Sequence, residues 1–170
     1  MNKLLAVLST FILIGYAQAE PEQIEVIGLV PNVSTIAEVG GGSTFWIGGY
    51  KLTCSAEYIE DLLAQLHCPT GEAIDREGHS ASNFEVHDVL VKGFTEKYGE
   101  PTNVEGAVIQ TRGGGYFTRN TASWTDKKGN KLFVVSSDTR IDKGLLVLQS
   151  YTKISADEKE KERVNKARNF

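Results

Sequence analysis

Apolar and polar positions divide this chain into short alternating runs and two longer segments of helical period. Residues 83–98 (NFEVHDVLVKGFTEKY) bring Val86, Val89, Leu90, Phe94 and Tyr98 near one face of a helix. Ser82 or Asn83 can cap its start, Gly99 suits the position just past its end, and Pro101 keeps it from resuming. Downstream, residues 108–112, 116–125, 131–137 and 145–154 read as strands, parted by the turn-forming runs 113–115, 126–130 and 142–144. One long helix followed by turn-separated strands predicts an α+β fold. Its sheet is an antiparallel meander, with the main helix packed on one face.

The first half is patterned more weakly. A polar leader at 20–25 precedes a short apolar run at 26–30. Pro31-Asn32-Val33-Ser34-Thr35 then supplies helix-start chemistry for Ile36-Ala37-Glu38-Val39, which glycines 40–42 stop. Residues 45–55 read as one strand that Gly48-Gly49 bulges or bends, and the polar run 69–82 is a loop between the halves. The tail, 155–170, opens on the capping box Ser155-Ala156-Asp157-Glu158 and places acids ahead of bases. Its apolar stripe is only Val164, Ala167 and Phe170, so an exposed C-terminal helix is expected.

Cys54 and Cys68 are the only cysteines. Residues 55–66 (SAEYIEDLLAQL) carry a helical stripe of Ile59, Leu62, Leu63 and Leu66, capped by Ser55. An unbroken helix between the cysteines would hold them roughly 20 Å apart at about 1.5 Å per residue, whereas a disulfide tolerates about 4.4–6.8 Å between Cα atoms. A hairpin folding back near Asp61, or two strands joined by a helical turn at 57–61, would let the thiols meet. An oxidising compartment favours these two over the helix.

That compartment is implied by the first nineteen residues. Lys3 forms a short positive region, residues 4–14 an apolar run, and Ala17-Gln18-Ala19 a small-x-small cleavage site before Glu20. This is the pattern of a secretory signal peptide and is too short to span a bilayer. The expected organisation is therefore a leader at 1–19, one α+β domain at 20–154 and a charged helix or tail at 155–170. The product is periplasmic or secreted, with no transmembrane segment. Loss of the leader removes only Lys3, so 17 basic side chains face 22 acidic ones, a net of −5. That balance argues against nucleic acid as partner.

Lys97-Tyr98-Gly99-Glu100-Pro101 ends the long helix, and the strands that follow carry Trp124-Thr125-Asp126-Lys127-Lys128-Gly129. This order resembles small exported modules of the BamE and β-lactamase-inhibitor-protein type. Residues 32–39 (NVSTIAEV) look like the short helix that opens such modules. The resemblance implies two degenerate helix-plus-strands units, about 26–72 and 83–154, and a protein that binds other exported proteins without performing chemistry. Two features depart from the BamE pattern: no lipidated Cys stands at the cleavage point, and the second half is longer.

No catalytic or metal-binding constellation emerges. His67, His79 and His87 lack zinc spacing relative to the cysteines, and Asp75, Glu77 and His79 share a flexible loop. Ser150-Tyr151-Thr152-Lys153 matches Ser-x-x-Lys as text but falls in a strand-like run without its companion motifs. No cofactor is expected. The aromatics remain as candidate binding surface, namely Trp46, Tyr50, Tyr116, Phe117 and Trp124. Adjacent pairs such as Phe45-Trp46 and Tyr116-Phe117 must send one ring to each face of a strand. The expectation is an exported non-enzymatic binding protein (an inhibitor, immunity-type or envelope-assembly factor). The alternative is an envelope hydrolase acting on peptidoglycan or a similar polymer.

Overall fold

The computed structural model describes residues 19–138 and 140–168, so the expected leader, apart from Ala19, lies outside the described residues. In chain order the elements are α1 (Ile36–Val39), β1 (Gly42–Ile47), β2 (Tyr50–Ile59), β3 (Leu62–Pro69), α2 (Asn83–Tyr98), β4 (Asn103–Gln110), β5 (Tyr116–Thr125), β6 (Lys131–Val135), β7 (Leu145–Gln149) and α3 (Tyr151–Arg168). All seven strands join one antiparallel sheet in the order β1-β2-β3-β7-β6-β5-β4. The fold is α+β, with helix followed by strands occurring twice. The last strand, β7, is inserted between β3 and β6 and welds the two halves.

Two tight hairpins shape the first half. Gly48 and Gly49, at φ 59° and 87°, turn the chain so that Ile47 faces Tyr50. The strand expected over 45–55 is therefore two strands, and the glycine pair is the turn between them. Left-handed backbone at both central positions is what a two-residue hairpin requires. Gly48 is also wedged under the main helix: a Cβ there would lie 2.9 Å from Leu90 Cδ2.

The second hairpin turns at Glu60-Asp61, at φ 52° and 64°, with Ile59 opposite Leu62. This resolves 55–66 as a hairpin. Cys54 and Cys68 stand opposite one another, one step beyond the Ser55–His67 pair, and form a disulfide with 4.2 Å between Cα atoms. Both are buried in the core.

Helix α2 begins as its sequence implies, with Ser82 Oγ accepting from the Glu85 amide, and ends at Gly99, φ 82°. It buries Val86, His87, Leu90 and Phe94, while Val89 is exposed. Beneath it lie Leu52, Leu66, Trp124, Leu132, Val134, Leu146 and Leu148, all nearly inaccessible.

Three segments differ from expectation. Strand β4 starts at Asn103 rather than 108. The run expected as strand to 154 stops at Gln149, and α3 starts at Tyr151, a turn ahead of the Ser155 capping box. The reason is Ser150, which is buried and whose hydroxyl accepts the Lys153 amide as a cap. Asn130 Oδ1 accepts the Tyr151 amide beside it. The polar stretch at 20–25, expected as a loose lead-in to the apolar run at 26–30, is also tied down. Ile24 and Val26 are fully buried. The Ile24 amide donates to Asp126 Oδ2 at 3.1 Å, and Tyr98 Oη donates to the Glu25 carbonyl at 2.7 Å.

No residue of helix α3 is fully buried, and Lys153, Ile154, Ser155, Asp157 and Val164 are half-buried. Its anchor is Lys153, paired with Glu57 at 3.0 Å and Asp157 at 3.3 Å. The hydrogen bonds that Lys153 donates to Glu57 and, with less weight, to Asp157 hold its ammonium above its ordinary pKa near 10.5, against the opposing effect of burial. No described helix is long and apolar enough to cross a membrane.

Reduction of the disulfide reopens a loop of about 15 residues, worth about 3 kcal/mol in the chain-entropy account, and should lower the melting temperature by roughly 6–12 °C in a calorimetric scan with reductant. An unchanged midpoint would contradict the staple. The Lys153 contribution is whole below the ordinary lysine value and disappears as pH rises through the raised one. Melting temperature should therefore fall more steeply as pH rises above 10.5 in the native chain than in Lys153→Met; parallel curves would refute the anchor.

Candidate interaction surface

Strand alternation gives the sheet two unlike faces. Cross-strand rows such as Cys68–Leu146–Val134 and Leu66–Leu148–Leu132 point under α2. The intervening rows point the other way, where the only described helix that touches the sheet is α3, held by its first turns at the Glu57–Gln65–Gln149 end. There His67 pairs with Val147, Val147 with Phe133, and Leu145 with Val135. Phe133, Val135, Leu145 and Val147 form a half-buried apolar patch at the centre. Gln65, Gln149 and Lys131 border it at one end. Uncovered antiparallel faces are ordinarily polar.

At the other end of this face two hollows flank the β6–β7 loop. The first, about 370 Å³, is lined by His67, Pro69, Glu72, Asp138, Asp142 and Lys143. The second, about 910 Å³, has apolar walls of Ile109, Phe117 and Ile141 with Arg112 and Arg140 at its rim. Arg119 braces the loop between them, donating to the Ser137 and Asp138 carbonyls at 3.1 and 2.6 Å.

The five aromatics expected to form a surface do not come together. Trp124 is fully buried; its indole N–H donates to the Gly99 carbonyl at 2.8 Å, and its ring meets Phe94 edge-on at 5.8 Å. Tyr50 is buried against α2, its hydroxyl donating to Glu85 at 3.0 Å. Burial first, and the Glu85 carboxylate second, raise its pKa. Phe117 is buried in the wall of the larger hollow. Trp124 and Tyr50 are withdrawn as exposed contacts because the core under α2 takes their area, and Phe117 because it lies against the β6–β7 loop on the other face.

Trp46 and Tyr116 are exposed, at 49% and 68%. Trp46 shares its face with Lys51, and the Arg76 guanidinium lies 6.0 Å above its ring. Tyr116 has the parity of Ala122 and Trp124 and so points to the helix side. The two belong to different surfaces. Each adjacent aromatic pair does split as expected, with Phe45 and Phe117 inward.

The polar clusters have structural explanations. Asp75, Glu77 and His79 can bring ligand atoms within 4.8 Å of one another. Asp75 Oδ1, however, accepts the amides of Glu77 and His79, shaping the loop. The His79 backbone hydrogen bond is the main reason the Asp75 carboxyl titrates below its ordinary value. Ser150 and Lys153, the Ser-x-x-Lys text match, cap and anchor α3. Among the described residues no side-chain hydrogen bond or ion pair joins His67 to the carboxylates around it.

The apolar patch escaped the sequence reading, although a signal for it was present. The runs KLFVV and LLVLQ are apolar at both parities, so strands built from them must be apolar on both faces. Trp124→Ala should cost about 3–5 kcal/mol in denaturant unfolding. Trp46→Ala should stay within about 0.5 kcal/mol. Equal losses would overturn this division of the aromatics. No family model, curated protein or solved structure matches this chain.

Proposed function

We propose that this is an exported, non-enzymatic binding protein that engages another exported protein through the uncovered face of its sheet. The observation that carries the reading is the apolar patch of Phe133, Val135, Leu145 and Val147, bordered by amides, Lys131 and His67. An apolar centre with a polar rim is the usual composition of a protein interface. The disulfide supports an oxidising compartment, and the acidic balance supports a protein partner over nucleic acid. The resemblance of its helix-end and Trp-turn motifs to exported binding modules points the same way.

A hydrolytic reading would draw on the His67 hollow with Glu72, Asp138 and Asp142. Paired groups at hydrogen-bond distance would favour it. The hollow offers His67 no such partner among its described carboxylates, and the binding reading is therefore preferred.

The test is affinity capture of partners from the exported fraction by the native chain, by Phe133→Lys/Val147→Lys, and by His67→Ala/Asp142→Asn. One stoichiometric partner, retained at high salt and lost by at least about tenfold in the first variant, is expected. Circular dichroism must show that the variant stays folded. A partner held equally by all three, or turnover of an envelope polymer abolished by the second variant, would overturn the proposal.

A further inference from the structure

Strand β4 is an outer strand of the sheet, and its sequence, NVEGAVIQ, does little to protect that edge. It is eight residues long, exposed at every position except Ile109, and carries one charge, Glu105. Natural edges are commonly blunted by lysine, proline or a bulge. None interrupts this one, which pairs with β5 in continuous register from Asn103–Ser123 to Gln110–Tyr116.

The backbone direction follows from β5. The amides of Asn120 and Asp126 donate toward β6, to Ser136 Oγ and the Asn130 carbonyl. The Thr125 amide donates the other way, to Thr102 Oγ1. Odd-numbered residues of β5 therefore bond to β4, through Asn103, Glu105, Ala107 and Ile109. Val104, Gly106, Val108 and Gln110 are left sending their N–H and C=O groups outward. Their side chains lie on the helix-side face, beyond the reach of α2, where Val104 and Val108 are 68% and 71% exposed. Val104 also lines a groove of about 300 Å³ with Val91, Thr95 and Pro101, so the apolar strip continues toward the helix.

We infer that β4 pairs antiparallel with β4 of a second copy of this chain, about a two-fold axis through Gly106. An axis normal to the sheet keeps each face on its own side, so only residues of like parity can oppose one another. With Gly106 facing its own copy, Val104 meets Val108 twice and Glu105 meets Ala107. Shifting the register one step in one direction sets Glu105 against Glu105. Shifting it the other way puts Val104 against Gln110 and Val108 against Gly106, losing both valine pairs.

Of these three registers side-chain pairing favours the one centred on Gly106, in which the edge is complementary to itself over the longest overlap with both valine pairs kept. The opposite edge, β1, is shorter and has Arg76 over Trp46, which disfavours the head-to-tail pairing that would grow filaments. The pairing joins two sheets into one of fourteen strands, with both uncovered faces on the same side. It stands whether or not those faces bind a partner.

Sedimentation of the chain from Glu20 to Phe170 across micromolar concentrations should show a reversible monomer–dimer equilibrium. Val108→Lys should weaken it by at least about tenfold, with no change in melting temperature at dilutions where both chains are monomeric, since the site is exposed. Gly106 has room for a side chain, a Cβ meeting only Asn120 Oδ1 at 3.8 Å. Directly bonded partners sit about 5.5 Å apart at Cα, within disulfide reach. Gly106→Cys should therefore cross-link copy to copy under mild oxidation, and Gln110→Cys should not. A chain monomeric at every concentration, a dimer indifferent to Val108→Lys, or equal cross-linking from positions 106 and 110 would overturn the inference.

Discussion

The pairing of β3 with β7 is the constraint on which the rest of the structure depends. Residues 65–69 meet residues 145–149, so the last strand made becomes the centre of the sheet. On one side it carries Leu146 and Leu148 into the core beside Cys68 and Leu66; on the other it carries Leu145 and Val147 into the uncovered patch. Without it the first half would be a three-stranded ribbon with a short helix, and the second a helix on a meander open along β6. Closing so long a loop is entropically unfavourable until the surrounding contacts reward it. The neighbouring disulfide narrows that search by holding β2 and β3 together.

Much local chemistry was legible, although the Gly48-Gly49 turn between β1 and β2 had the look of a bulge or bend within one strand. Ser82 and Gly99 marked α2 because capping is settled within one turn. The two cysteines, once taken as paired, favoured a hairpin or two strands joined by a helical turn over a helix at 55–66. The triple glycine at 113–115 and the run around Asp126–Asn130 announced the turns that join β4, β5 and β6.

What stayed hidden depended on partners far along the chain. Nothing near Ser150 says that Asn130 waits to receive the next amide, so Ser155 looked like the better cap. Nothing near Ile24 says that Asp126 will hold it. Trp124 and Phe117 looked like surface candidates because a ring on a strand has two faces to choose from. The choice was made by α2, which covers one face at Trp124, and by the β6–β7 loop, which closes over Phe117. The patch on the other face follows from strand order, since only adjacency of β3, β7 and β6 turns two apolar runs into an area.

The strap at Ile24 and Val26 has a consequence for the order of folding. Its anchor, Asp126, lies 102 residues further along. A chain synthesised N-terminus first presents the strap early and its receptor late. Over that interval Ile24 and Val26 have no core to enter, and β3 has no β7 to pair with. The native state cannot assemble piecemeal behind the growing chain, and folding waits until nearly all of the strands have been made.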